Sequence, residues 1–490
     1  MAELMNKIIL IIFFFLSTTA TFADDQSKES IQELKQIIDA LQSQVETQKT
    51  QLDSQSETLL QLQKQMQSLM ATKNTTGVDF AVGADTHSPE ALARTQSAAQ
   101  KPTDKAPNAL SNQSRYDLDS PSGANTSSIP AAAIINVPGT PTSVGVHGMM
   151  IFQIMHDTVG IDSNEFDAFL IPIEGAPSDT RYSVNPSRIG ISSQTALSWG
   201  AINTHASLDL NGDLASPEWR LRQFYGEIIN DEKDYSFLAG QAYSTMLDLK
   251  SVPETLDFAG PSGYFARRQP LLRFTKMFNH KFILNIATDT PNNTVFLDAD
   301  AHAKWPDFVM AGSWLTGGKY LDHIRLAGST RDLRAESLTT GVLDSEFGWS
   351  LGLTGKFNLP AFGARDSFKF GVTYGDGYGG SIKSGPYDAA FDPDTSNLEA
   401  IGLFTTYGGI QHFWSDTWRS NLVYGYTKAD NPDFMGADRL DSTTYVAGNI
   451  IWNYWKQVTV GFEYLYGRRE NVDGASETSS RFLFSSRWTF

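Results

Sequence analysis

The sequence predicts an all-β transmembrane barrel of about 16 antiparallel strands, preceded by an α-helical coiled coil and a disordered linker. Three observations carry that reading. From residue 144 onward, segments of about ten residues alternate apolar and polar side chains and are separated by turn residues. The connections between them alternate between short and long. The final segment puts Phe482, Phe484, Trp488 and Phe490 in one register against Arg481, Arg487 and Thr489 in the other.

Composition sets the outer bounds. A chain of 490 residues has room for more than one folded unit, although a single barrel can be large. With no cysteine, neither disulfides, thiolate metal sites nor a lipidated N-terminus are available, which fits an exported chain. A formal net charge of -17 argues against nucleic acid as a partner, but leaves open a site of the opposite sign. Aromatic residues at 12% beside only 19% charged residues suit a β protein that faces lipid, even at a mean hydropathy of -0.27. No apolar run reaches the roughly 20 residues of a spanning helix.

The N-terminal elements follow in order. Lys7, the apolar run 8–16 and Thr21-Phe22-Ala23 before Asp24-Asp25 make residues 1–23 a secretory signal peptide; a membrane anchor needs about twice that apolar length. Over residues 28–71, Ile31, Leu34, Ile38, Leu41 and Val45 begin a 3-and-4 spacing that Leu52, Leu59, Leu62, Met66 and Leu69 continue, with Gln48 and Gln55 filling the remaining layers. That is a heptad seam, hence a periplasmic coiled coil, with a solitary amphipathic helix as the alternative. Branched residues at the first core position lean towards a dimer, and the glutamine layers weaken the lean. Residues 72–132 mix Ser, Thr, Ala, Gln, Asn, Asp and Pro without periodicity and read as a disordered tether.

The barrel itself occupies 133–490. Its strands are expected at 144–157, 187–198, 201–211, 219–229, 235–243, 265–277, 281–290, 302–315, 321–333, 347–357, 367–374, 398–414, 418–428, 443–455, 458–468 and 480–490. Connections such as 199–200, 279–280 and 456–457 are short, whereas 158–186, 244–264, 334–346, 375–397 and 470–479 are long. Periplasmic turns and outer loops give a membrane barrel this asymmetry; a soluble sandwich has no reason for it. Ile202, Ala206, Leu208 and Leu210 alternate with Asn203, His205, Ser207, Asp209 and Asn211, so one face meets lipid and the other wets a lumen. Trp305, Trp314, Tyr320, Trp414, Trp418 and Trp455 cluster near strand ends, as interfacial girdles do.

Catalytic signatures are sparse. Neither G-x-S-x-G nor H-E-x-x-H occurs. Gly375, Gly377 and Gly380 fit G-x-G-x-x-G, but Ser381, Gly385 and Pro386 follow where a phosphate-cradling helix has to start. Asp388, Asp392 and Asp394 resemble half of a calcium loop without its glycine or closing glutamate, and the histidines have no metal-ligand spacing. No cofactor and no metal are therefore expected. A hydrolase whose Ser, His and Asp meet only in space is the weakest of the readings kept.

The stronger signal lies in 219–275. Arg220 and Arg222 share a face of one strand, and Arg267 and Arg273 share a face two strands later, with Arg268 in the opposite register. Arg188 adds a third even-numbered strand. Between them a long loop carries Asp248, Glu254 and Asp257 with Pro253, Gly260, Pro261 and Gly263. Counting connections puts that loop after the fifth strand, long enough to fold back into the lumen. An arginine ladder on one wall can hold carboxylates bidentately and enrich anions. Alternatively, the arginines neutralise the loop's acids.

These residues resemble the DcaP-like outer-membrane porins. The resemblance rests on Ser187-Arg188-Ile189-Gly190, on Leu221-Arg222-Gln223-Phe224-Tyr225-Gly226-Glu227, on Leu238-Ala239-Gly240-Gln241, on Pro253-Glu254-Thr255-Leu256-Asp257-Phe258-Ala259-Gly260-Pro261 and on Arg268-Gln269-Pro270-Leu271-Leu272-Arg273. It implies a trimeric barrel in the outer membrane of a Gram-negative bacterium, with a periplasmic coiled coil and an association with dicarboxylic acids. It implies a constriction lined by Arg188, Arg222, Arg268 and Arg273, with Glu254 and Asp257 in the infolded loop. The expected function is passive diffusion of small anionic solutes through a homotrimer embedded in lipid and lipopolysaccharide. A structural role, tethering the membrane to a periplasmic or cell-wall partner through the coiled coil, is the alternative.

Overall fold

The computed structural model describes residues 133–490 apart from 214–215, 233, 297–298, 318–321 and 456. The expected signal peptide, coiled coil and linker, and Tyr320, lie outside the described residues. Among these residues no helix is long and apolar enough to cross a membrane. The chain instead closes sixteen antiparallel strands into a barrel.

In chain order these are β1 (Thr142–Asp157), β2 (Arg188–Leu197), β3 (Gly200–Asp209), β4 (Arg220–Asn230), β5 (Tyr235–Tyr243), β6 (Arg268–Phe278), β7 (Phe282–Asp289) and β8 (Asp307–Gly317). They continue as β9 (Asp322–Ser337), β10 (Leu343–Asn358), β11 (Ser367–Asp376), β12 (Gly402–Phe413), β13 (Trp418–Asp430), β14 (Leu440–Trp452), β15 (Val458–Asn471) and β16 (Ser476–Thr489). Each pairs with the next, and β16 returns to β1 with Arg481 opposite Asp157 and Thr489 opposite Met149. Closure removes the exposed edges that an open sheet would offer to other chains.

Side-chain alternation decides what each face meets. On β3, Ile202 and Leu208 are exposed while Asn203, His205, Ser207 and Asp209 are buried. The same pattern puts Phe462 and Tyr464 of β15 outside and Glu463 and Leu465 inside. Trp199, Trp314, Trp414, Trp418 and Trp455 stay exposed at or just beyond the strand ends on the short-turn rim. In the short turn 279–281, Asn279 and His280 both have positive φ (48° and 56°), as the central residues of a type I′ turn do.

The core sits inside the barrel. Phe166, Ala168 and Ile171 of loop 158–187 pack on Val423, Tyr445, Ala447, Leu465 and Leu483 from the inner wall. Met246, Leu247, Val252, Tyr264 and Phe265 of loop 244–267 pack on another arc of wall, against Ala287, Val309, Ala311, Ala327 and Tyr407. At roughly 1.5–3 kcal/mol for each fully buried large apolar side chain, these contacts hold the loops down.

Several expectations about strand limits change. The long connections expected at 334–346 and 470–479 are tight turns, because β9 and β10 run to 16 residues each, as do β15 and β16 to 14. Their charged ends read as loop because charge reports contact with water, whereas a hairpin keeps its backbone ladder there. The segment 398–414 divides at Ile401: Leu398–Ala400 leaves the barrel and pairs with Ala389–Phe391, which also pairs with Val295–Phe296. The segment beginning at 265 becomes β6 only at Arg268, because Phe265 bridges to Ile382 and Ala266 bonds to Ser381 of loop 377–401.

Candidate functional site

Loop 244–267 leaves β5 and crosses the lumen. Arg325 on β9 donates to the carbonyls of Leu247 (2.8 Å) and Thr245. Asp248 accepts from Thr354 at 2.8 Å and pairs with His323 at 2.6 Å. Ser251 meets the Tyr407 hydroxyl at 2.7 Å, and Lys369 donates to the Val252 carbonyl at 3.1 Å. Pro253 then lies so close to β12 that a Cβ on Gly409 would fall 2.7 Å from it. Leu256 makes the same demand of Gly461 on β15. At these wall glycines the side chains of the crossing loop occupy the space a Cβ would need.

At the far wall the loop is fixed by charge. Arg419 on β13 grips Glu254 with two bonds of 2.8 and 2.6 Å, and Gln411 adds a third at 2.5 Å. Glu463 on β15 accepts from the backbone N–H groups of Leu256 (3.0 Å) and Asp257 (2.7 Å) and from Asn449 (2.9 Å). Asp257 accepts from Phe166 N–H at 3.0 Å and lies 3.9 Å from Arg481, whose main partner is Asp157 at 2.6 and 2.7 Å. Burial works against ionising all three loop acids. For Glu254 the charge and hydrogen bonds of Arg419, with Arg487 and Lys369 nearby, together outweigh it, and for Asp248 those of His323, with Arg325 and Thr354, do, so both carboxyls lie below their usual range. For Asp257 burial wins and the carboxyl is pushed up to about 6.

The return half joins two other loops. Gly263 and Lys383 exchange backbone bonds through Gly263 N–H to Lys383 O (2.9 Å) and Lys383 N–H to Tyr264 O (3.0 Å). The Lys383 ammonium reaches Glu165 and Asp167, each at 3.1 Å, and these opposite charges hold it well above its ordinary pKa against the cost of burial. Loops 158–187, 244–267 and 377–401 thus form one cross-linked insert.

The opposite wall carries the arginines. Asp209 at the end of β3 lies in register between Arg188 of β2 and Arg220 of β4. Arg220 binds it twice, at 3.1 and 2.9 Å, and Arg222 once at 2.6 Å. Arg222 belongs to a β-bulge: Leu221 pairs with Leu208 and Gln223 with Ser207, leaving the residue between them opposite no partner and turned inward. Both the Arg222 and Asp209 side chains are fully buried (0% exposed). The Arg188 and Arg222 guanidinium groups lie 5.5 and 5.3 Å from the ring of Phe258 in the crossing loop. Arg268 sits 5.4 Å from the Tyr243 ring, and Arg273 donates to the Tyr243 carbonyl at 3.2 Å.

The expected site residues therefore fall into three places. Arg188, Arg220, Arg222, Arg268 and Arg273 gather around β2, β4 and β6, tied together by Asp209, Phe258 and Tyr243. Arg268, in the opposite register to Arg267, nevertheless joins this group. Arg267 instead turns to the Asn292 carbonyl at 3.2 Å in loop 290–306, because it precedes β6. Asp248, Glu254 and Asp257 are held at the far wall by His323, Arg419 and Arg481. Sequence reasoning missed Asp209, Tyr243, Phe258, Arg325, Arg419 and Glu463. The inward registers of Asp209, Arg419 and Glu463 were legible in the alternation, but the loop partners of Arg419 and Glu463 lie 165 and 207 residues away in sequence. Asp388 turns out to bind Arg331 (2.9 Å) and Thr294 (2.8 and 2.9 Å), a structural role. Among the described residues no group of three or more His, Asp or Glu could hold a metal ion.

A closed barrel of this strand number with a loop folded across the lumen has the porin fold. Among solved structures, the chain is similar to the outer membrane channel DcaP of Acinetobacter baumannii: TM-score 0.64 at 17% identity, covering 73% of this chain and 100% of that one. An anion-selective porin from Comamonas acidovorans matches at a TM-score of 0.50 and 10% identity, over 71% of this chain and 100% of that one. No protein-family model and no curated protein sequence matches.

Proposed function

We propose that the protein is an outer-membrane porin of the DcaP-like kind, through which small anionic solutes diffuse passively past an arginine-lined constriction. One observation carries the reading. The crossing loop commits its acids to His323, Arg419 and Arg481 on one wall, while two guanidinium groups share the single carboxylate of Asp209 on the other. A lumen with that asymmetry is positive on one side, and low-dielectric walls focus its field. Guanidinium forks suit carboxylates, and the resemblance of the sequence motifs to the DcaP-like porins extends the reading to dicarboxylates. The similar porin from Comamonas acidovorans is anion-selective, in keeping with this reading. In this reading the long loops face outward, the short turns face the periplasm, and the barrel assembles as a homotrimer in lipid and lipopolysaccharide. Reconstitution into planar bilayers under a potassium chloride gradient tests it: the reversal potential should report anion preference. A cation-selective or silent protein would falsify it.

A further inference from the structure

Tyr243 ends β5, between the two strands that carry the arginines. Its hydroxyl accepts from Arg222 of β4 at 3.0 Å, its ring faces Arg268 of β6 at 5.4 Å, and its carbonyl accepts from Arg273 at 3.2 Å. Gln241 on the same strand donates to the carbonyls of Leu221 and Arg222, both at 3.1 Å, which braces the bulge that turns Arg222 inward. One short stretch of β5 thus sets the position of three cations.

Guanidinium groups brought together repel, and long side chains relieve that repulsion by splaying apart. Asp209 already takes part of the Arg222 charge at 2.6 Å, and a further carboxylate would order the three but cancel the charge that is left. A phenol orders them through its oxygen and the negative face of its ring while adding no charge. We propose that Tyr243 is the positioning residue of the anion constriction, holding Arg222, Arg268 and Arg273 in one cluster without neutralising it.

The inference rests on the anion-porin reading, and the test separates the two. Wild type, Tyr243→Phe and Tyr243→Leu are compared in planar bilayers by reversal potential in a potassium chloride gradient and by conductance in concentrated potassium chloride. The leucine variant keeps the backbone carbonyl but loses ring and hydroxyl, so its anion-to-cation permeability ratio should fall about two- to fivefold. Phenylalanine restores the ring and should recover part of that loss. Conductance in concentrated salt should stay level, because the crossing loop keeps its far-wall anchors. An anion-selective wild type with an unchanged leucine variant overturns the inference alone. So does a leucine variant in which ratio and conductance fall together, the mark of a merely structural role. A wild type without anion preference overturns the porin reading, and this inference with it.

Discussion

On the wall from β9 to β16, arginine and carboxylate meet as closed pairs: Arg419 with Glu254, and Arg481 with Asp157. On the wall from β2 to β6, Arg220 and Arg222 divide one carboxylate, Asp209, and the neighbouring contacts are aromatic rings and a carbonyl. Residue type and inward register are the same on both sides. The difference lies in the ratio of charges at these contacts: Arg419 and Arg481 each meet a carboxylate of their own, whereas Arg220 and Arg222 share one, which in the proposed reading leaves the second wall the more positive. Breaking a pair on the first wall should therefore change the size of the opening. Removing a cation from the second should change what goes through it.

The largest effect is expected at Arg419. Its replacement by alanine leaves Glu254 buried without its main partner, a loss of roughly 3–5 kcal/mol, enough to release this part of the loop. Single-channel conductance should rise and become noisier; a trace identical to wild type would show that the other anchors suffice. Next comes the pH dependence of Asp257. Its folded pKa of about 6 lies above the ordinary 3.8, so its contribution to stability is fully present below that ordinary value and lost as pH rises through about 6. That shift corresponds to about 3 kcal/mol at most. Asp257→Asn should flatten the melting midpoint between about pH 4 and 7, and an unchanged pH profile would remove Asp257 from the account.

Arg222→Ala belongs to the second wall and should leave conductance near wild type. It should lower the anion-to-cation permeability ratio on the order of fivefold, equivalent to about 1 kcal/mol. The smallest effect is expected at Arg267, which turns away to Asn292. Its alanine variant should alter the ratio by less than about 1.5-fold, since its half-buried guanidinium is engaged by Asn292, away from the Arg222 cluster, and charges at a distance are screened. If Arg267→Ala matched Arg222→Ala, the division between the walls would need redrawing.

Much of the barrel was legible in the sequence because its signals are local. Alternation in 202–210 gives the wet and dry faces, and connection lengths put the crossing loop after β5. The site was legible only in part. Arg188, Arg222 and Arg273 follow from register, whereas the exchange of roles between Arg267 and Arg268 depends on where β6 begins, which loop 377–401 decides. The bulge at Arg222 depends on pairing with Asp209. The aims of Asp248, Glu254 and Asp257 depend on strands that come long after them in the chain. No periodicity within the loop carries that information.

The crossing loop has one more consequence, a mechanical one. A cylinder with a wall one sheet thick ovalises readily when squeezed from the side, since flattening changes the angles between strands while sparing the hydrogen bonds along them. Here a strut runs through the bore, rooted at β5 and β6 and fastened to β9, β12, β13 and β15. Compression across that diameter has to buckle the strut or shear the Arg419–Glu254 clamp. The opening beside it should hold its width under lateral pressure from the bilayer better than a hollow tube of the same circumference.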